Sequence, residues 1–149
     1  MRPVSIALLA LWLCGCGDKP STVEDLNSVE VMFPNGTKIL AEAARQQFEI
    51  LRGLMYRDSL PANRGMLFFY PKDEPHAHYM YNAKIPVDII WMDHERHIVE
   101  ISANTPPCTL PSARACPTYG GQKASRYVLE VNAGIAAKNN LQLGDRLDF

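Results

Sequence analysis

Four polar side chains lie within otherwise apolar stretches of the sequence: Arg57, Asn82, Asp88 and Glu130. A charge that is removed from water costs on the order of several kcal/mol unless it is paired, so we expect these groups to meet one another or a ligand. Two interpretations are open. Arg57 could pair with Asp88 or Glu130 while Asn82 bonds loop backbone. Alternatively, the four line a polar cleft that binds a small anionic or peptide-like ligand through Arg57.

A second group of candidate residues alternates along the chain, namely His76, His78 and Met80. In a strand this spacing places all three side chains on one face. Imidazole and thioether groups suit copper, so copper or other metal handling is one hypothesis. Packing is the alternative, because methionine in a β core fills irregular space. We predict no cofactor.

Recognisable catalytic motifs are lacking. The sequence has no Gly-x-Ser-x-Gly elbow, no phosphate-binding loop and no His-Glu-x-x-His helix. A binding or accessory domain is therefore the leading hypothesis. Its partner would be the small ligand described above or a protein of the cell envelope. The alternative is a hydrolase or transferase that acts on envelope material through Arg57, Asp88 and Glu130.

The first sixteen residues indicate export and lipidation. Arg2 precedes an apolar stretch over residues 4–13, which is shorter than the roughly 20 residues of a membrane-spanning helix and typical of a signal peptide. Residues 13–16 resemble a bacterial lipobox, so we expect cleavage before Cys16 and diacylglycerol on its sulfur; two acyl chains suffice for stable anchoring. Because glycine rather than aspartate follows Cys16, the predicted location is the outer membrane, facing the periplasm. Ordinary cleavage with release is the alternative.

The remaining chain, about 134 residues, has the size of one domain. Fifteen basic and sixteen acidic side chains give the whole sequence a net charge of −1, so nothing indicates nucleic-acid binding. We expect a monomer. Cys108 and Cys116 would meet an oxidising compartment and are predicted to form a disulfide that closes a proline-rich loop.

The pattern of apolar and turn-forming residues predicts a mainly β domain over residues 28–149, after a signal peptide over 1–15 and a flexible tether over 16–27. Asn35 and Gly36 indicate a first hairpin, and residues 42–54 favour a helix of two to three turns. We expect a β sandwich or small barrel with one or two short helices, because several strands are apolar on both faces. The predicted strands cover residues 65–70, 77–81, 87–92, 97–103 and 126–131, with an irregular connection over 104–125 and a short helix over 135–139.

Three ordered blocks of the sequence resemble the bacterial and archaeal family called domain of unknown function 192. The first block contains Gly53, Leu54, Met55, Arg57, Leu60, Asn63, Gly65, Met66, Leu67 and Phe68. The second contains Met80, Asn82, Ile85, Pro86, Val87, Asp88, Ile89 and Ile90, and the third contains residues 127–134 with a later Gly144 and Asp145. The resemblance implies a compact, mainly β domain that is often carried on secreted or lipid-anchored chains. It implies no established activity.

Overall fold

The computed structural model describes residues 27–149, so the predicted signal peptide, Cys16 and nearly all of the tether lie outside the described residues. Within this range six strands form one mixed sheet. The strands are β1 (Ser28–Met32), β2 (Lys38–Ala44), β3 (Arg64–Tyr79), β4 (Val87–Met92), β5 (Ile98–Thr105) and β6 (Thr118–Asn132). The helices are α1 (Gln47–Arg52), α2 (Ile135–Lys138) and a short 3-10 turn at Ala113–Ala115.

The spatial order of the strands is β1-β2-β3-β6-β4-β5. Strands β2 and β3 are parallel and are joined through α1, and every other neighbouring pair is antiparallel. The sheet is open, with β1 and β5 as its outer strands. The predicted mainly β class, with two short helices in one compact domain, is confirmed. The closed barrel, one of the two expected architectures, does not form, because β1 and β5 do not pair with each other. No helix among residues 27–149 is long and apolar enough to cross a membrane.

Alternating side chains build a separate apolar cluster on each face of the sheet. Leu67 and Leu129 pack on one face, together with Leu147 from the C-terminal segment. Phe68 and Trp91 pack on the other. Burial on both faces explains why these strands are apolar without a polar alternate side, as the sequence predicted.

The predicted helix is shorter than expected. Residues 42–44 extend β2, and α1 begins only at Gln47 and ends at Arg52. Ala43 and Ala44 pair with β3 and are buried there, so sheet pairing overrides the helix propensity of alanine. The structure also corrects the irregular connection over 104–125, because β6 already begins at Thr118.

Strand β3 bends sharply between its two halves. Its pairing with β6 shifts register between Phe69 and Glu74, and again between Pro75 and Ala77. In a straight strand Tyr70 and His78 would lie roughly 26 Å apart, whereas the structure has their side chains in contact. The two register shifts therefore act as β-bulges, which bend β3 so that both halves present side chains to one site.

Glycine at position 120 makes this packing possible. Gly120 lies in β6 with φ of +67°, and a Cβ atom there would come 2.2 Å from Cζ2 of Trp91. Trp91 fills that space and donates its indole hydrogen to the backbone oxygen of His76 at 2.7 Å. The close approach therefore ties β4 and β6 to the second half of β3.

Candidate ligand-binding site

A hydrogen-bonded chain of three side chains lies on the face of the sheet that contains Trp91. The Tyr70 hydroxyl is 3.0 Å from Nε2 of His78, and Nδ1 of His78 is 2.9 Å from Oε1 of Glu130. His78 is 8% exposed and Glu130 is 4% exposed. Polar groups this deeply buried stabilise one another through these contacts, because an unpaired partner would carry the full desolvation cost.

Strands β3, with Tyr70 and His78, and β6, with Glu130, place these groups together. Glu130 lies in β6 between Leu129 and Val131, whose side chains point to the opposite face. The imidazole of His78 contacts the ring of Phe68 edge-on, with centroids 4.9 Å apart, and that of Trp91 at 5.9 Å. These aromatic walls hold the imidazole in the orientation that both hydrogen bonds require.

The protons in this chain follow from its chemistry. An ionised Glu130 can only accept, so His78 carries a hydrogen on Nδ1. The neutral ring then accepts the Tyr70 hydroxyl hydrogen at Nε2, whereas a doubly protonated ring would donate to Tyr70. Burial, with a further contribution from the charge of Glu130, raises the pKa of the Tyr70 phenol well above its ordinary value. Tyr70 therefore stays protonated and acts as a hydrogen-bonding group.

A cavity of about 340 Å³ adjoins the three side chains, which is within the size range of small-molecule sites. Its walls are mainly aromatic and apolar. The lining includes Leu51 and Arg52 from α1, Phe68, Tyr70, His76, His78, Met80 and Tyr81, and Glu130. The exposed Arg52 guanidinium has no ion-pair or hydrogen-bond partner within residues 27–149. The site therefore combines apolar walls, paired interior polar groups and one available cation.

Arg57 lines a neighbouring cavity, which shares Arg52 and Gly53 with the first. Its guanidinium forms a two-pronged ion pair with the carboxylate of Glu42. Glu42 is thus a partner of Arg57, whereas the sequence suggests Asp88 or Glu130. Because the Glu42 carboxylate already accepts hydrogen bonds from both terminal nitrogens of Arg57, an anionic ligand would have to displace it.

The other predicted residues have partners of their own. Asp88 is fully buried, and its two oxygens accept the backbone amides of Asn104 and Ala136, each at 2.8 Å. It thereby joins β4 to the end of β5 and to the first turn of α2. Asn82 donates its side-chain amide to the Tyr56 hydroxyl at 2.7 Å. Of the four predicted residues, Glu130 alone is among those that line the cavity beside His78.

All three candidate metal ligands line this cavity. His76 stacks on the ring of Tyr70 with centroids 3.6 Å apart, and Met80 is buried. Both nitrogens of His78 already have protein partners. A metal at His78 would have to displace the Tyr70 hydroxyl, although Glu130 on Nδ1 is the kind of carboxylate that often orients a ligating histidine.

Cys108 and Cys116 are joined in a disulfide, with Cα atoms 5.9 Å apart. The amide of Cys108 donates to the backbone oxygen of Met80 at 2.9 Å. The bridged loop therefore supports the segment that carries one wall of the cavity.

Sequence reasoning missed Tyr70 and Arg52. Tyr70 follows the buried run of β3 at the same alternation as Phe68, which was a usable signal for a side chain on this face. Nothing in the sequence places it beside His78, because that contact depends on the bend in β3. Arg52 ends a short helix, where solvated basic residues are common, so its position in the sequence does not mark it as a ligand-binding residue.

Fold and cavity together define a small mainly β domain with a partly enclosed, ligand-sized site. The chain belongs to the DUF192 family, described as Uncharacterized ACR, whose model matches residues 30–149. Comparison with curated proteins returns no match.

Two solved structures are similar to this chain. One is a protein of unknown function from Novosphingobium aromaticivorans DSM 12444, which is 30% identical with a TM-score of 0.68, over 82% of this chain and 84% of that one. The other is a proposed transcription regulator from Sinorhizobium meliloti 1021, which is 27% identical with a TM-score of 0.71, over 81% of this chain and 91% of that one.

Proposed function

We propose that this protein is a lipid-anchored, periplasm-facing binding domain that holds a small anionic ligand in the cavity beside Tyr70, His78 and Glu130. The available Arg52 guanidinium at this cavity is the observation that carries the proposal. The anion would bind Arg52, while the aromatic walls would contact an apolar body. The imidazole of His76 also lines this cavity and adds a polar group to its wall.

The internal polar chain supports binding rather than bond cleavage. Its high pKa keeps the Tyr70 phenol protonated, so it is not an anionic nucleophile at neutral pH. Glu130 and His78 are bonded to each other, and Tyr70 gives its hydroxyl hydrogen to His78, so this chain offers the cavity only the acceptor side of the Tyr70 oxygen. Such a site fixes the orientation of a ligand by one or two polar contacts inside an apolar surface.

Co-purification tests this proposal. The full-length protein would be isolated from native membranes and denatured, and the released small molecules would be identified by mass spectrometry in negative-ion mode. The test variant is Arg52→Gln. Its matched control is Lys138→Gln, because each position is the basic residue in the last turn of a short helix and Lys138 belongs to α2.

We expect one anionic compound from the parent protein and from Lys138→Gln. Its amount should fall about tenfold or more in Arg52→Gln, since a charge-assisted hydrogen bond contributes about 1.5–3 kcal/mol. Equal amounts from both variants, or no anion at all, would refute the proposal. Recovery of a peptide or an envelope protein instead would favour a different partner for the domain.

A further inference from the structure

Helix α1 presents two large apolar side chains to solvent. Phe48 is 65% exposed and Leu51 is 57% exposed. They lie three positions apart, so they share one side of the helix. No residue of α1 is buried. Most short helices on a domain surface direct their apolar residues to the core, and adjacent exposed ones indicate a surface that contacts something else.

The polypeptide enters the domain beside this helix. Asn27 is the first described residue, and it lines the same cavity as Phe48 and Arg52. Its side-chain amide donates to the backbone oxygen of Ala43 at 3.0 Å, which fixes this entry point. The predicted lipid-bearing Cys16 precedes Asn27 by eleven positions. Even a fully extended chain of that length reaches at most about 40 Å, so an anchor would keep Asn27, and α1 beside it, within that distance of the bilayer.

Helix α1 has one basic side chain that is available to anionic headgroups. The Arg52 guanidinium has no ion-pair or hydrogen-bond partner elsewhere in the described chain. The one acidic residue of the helix, Glu49, accepts the backbone amides of Arg45 and Gln46 at 2.8 and 2.9 Å. Its negative charge is therefore held at the start of the helix, while the basic group stands at its end beside Leu51. Apolar side chains next to a cation are typical of helices that lie in a membrane interface.

We propose that Phe48, Leu51 and Arg52 form a membrane-docking surface, by which the anchored domain lies against an anionic phospholipid bilayer. The surface is small, so docking depends on the anchor, which raises the local concentration of bilayer around α1. This inference rests on the predicted lipidation of Cys16. It shares Arg52 with the proposed anion site, so its test reads positions 48 and 51, which carry the apolar part of the surface.

Site-specific labelling tests the docking surface. An environment-sensitive fluorophore would be attached to Phe48→Cys or Leu51→Cys in the full-length, lipidated protein, reconstituted into phosphatidylglycerol-containing vesicles. The native Cys108 and Cys116 are joined to each other and do not compete for the label. Leu143→Cys is the matched control, because Leu143 is a similarly exposed leucine at 66% and packs in a different part of the fold. The parent protein, labelled in parallel, reports any thiol left free at Cys16.

Labels at positions 48 and 51 should shift to the blue on vesicles and lose fluorescence to lipids with a nitroxide near the headgroup. An interfacial helix buries its apolar face only about 5–10 Å into the bilayer, so a quencher at the chain end should act less. The label at 143 should be unchanged. Equal behaviour at all three positions would overturn the proposal. So would a blue shift without lipid quenching, which would mean that a second copy or residues 17–26 cover the helix.

Failure of the docking surface is distinguishable from failure of the anchor. The mass of the mature protein reports lipidation directly, whereas the comparison between labels at 48 and 143 reports the orientation of the domain. A lipidated protein whose α1 stays in water would leave the anchor standing and remove the docking surface.

Discussion

His78 is the residue on which the site depends, because it connects a carboxylate to a phenol inside the protein. Its two nitrogens contact Glu130 and Tyr70 at 2.9 and 3.0 Å. Removing the Tyr70 hydroxyl and removing the His78 imidazole would have different consequences. A lost phenol hydroxyl leaves a neutral ring nitrogen without a partner, whereas a lost imidazole leaves a buried carboxylate unpaired.

Stability measurements on single variants should show this difference. His78→Ala should lower the free energy of unfolding by about 3–5 kcal/mol, since it strands the Glu130 carboxylate. Tyr70→Phe should cost only about 1 kcal/mol, the contribution of one hydrogen bond. Tyr127→Phe is the control, because Tyr127 packs against Phe69 and Phe149 through its ring alone, on the other face. Denaturant unfolding would measure all three, and equal losses for His78→Ala and Tyr127→Phe would contradict the role of the pair.

Alkaline pH should destabilise the fold through Tyr70. Its pKa is raised in the folded protein above the ordinary value of 10.0, so above that pH the unfolded chain loses a proton that the native state retains. The contribution of this group is complete below pH 10 and falls by up to about 1.4 kcal/mol for each further pH unit. Tyr70→Phe should therefore lose less stability between pH 9 and 11 than the parent protein. If the stability of the parent protein and of Tyr70→Phe changed with pH in the same way, the prediction of a raised Tyr70 pKa would be wrong.

At the scale of elements, the bend in β3 creates the site by returning His78 to Tyr70. Trp91 and Gly120 hold the returning half in place, because the indole occupies the space that a side chain at 120 would take. The sequence predicted strands over 65–70 and 77–81, and both lie within β3 or at its end. It did not predict that the two segments form one strand, because Pro71, Lys72 and Pro75 interrupt the alternation that would mark a continuous strand.

A pair of glycine variants separates packing from backbone strain. Gly120 and Gly144 both have positive φ, at +67° and +91°. Gly144→Ala should cost about 1–2 kcal/mol from strain alone, since a Cβ atom at position 144 would meet nothing within 4 Å. Gly120→Ala should cost on the order of 3 kcal/mol or more, because it adds overpacking against Trp91. Thermal unfolding would compare the two, and similar losses would show that Trp91 adapts without cost.

For the whole molecule, the sequence predicted the class of fold better than the site. The mainly β domain followed from apolar runs such as 87–92, which became β4 with every residue buried. Asp88 and Glu130 were recognised as buried charges, but their partners come from distant segments. Asp88 accepts amides 16 and 48 positions away, and Glu130 meets an imidazole 52 positions away. Such pairings depend on strand order and bends, which local patterns do not encode.

Attachment to the membrane is the prediction that concerns the whole molecule. Cys16→Ser should remove the acceptor of the diacylglyceryl group, so the chain should stay unprocessed by the lipoprotein peptidase and lack the lipid mass. Intact-protein mass spectrometry of membrane and soluble fractions measures both effects. The parent and Cys16→Ser would behave alike if the leader were an ordinary signal peptide.

The central claim is that the cavity beside His78 binds an anion with an apolar body, and imidazole NMR during titration with anilinonaphthalene sulfonate tests it most directly. The chain has four histidines. His76 and His78 line the cavity, whereas His94 is exposed and His97 is half-buried at the turn between β4 and β5. We predict saturable shifts at His76 and His78 that weaken at least about tenfold in Arg52→Gln and persist in Lys138→Gln. Shifts confined to His94 and His97, or unaffected by Arg52→Gln, would contradict the account.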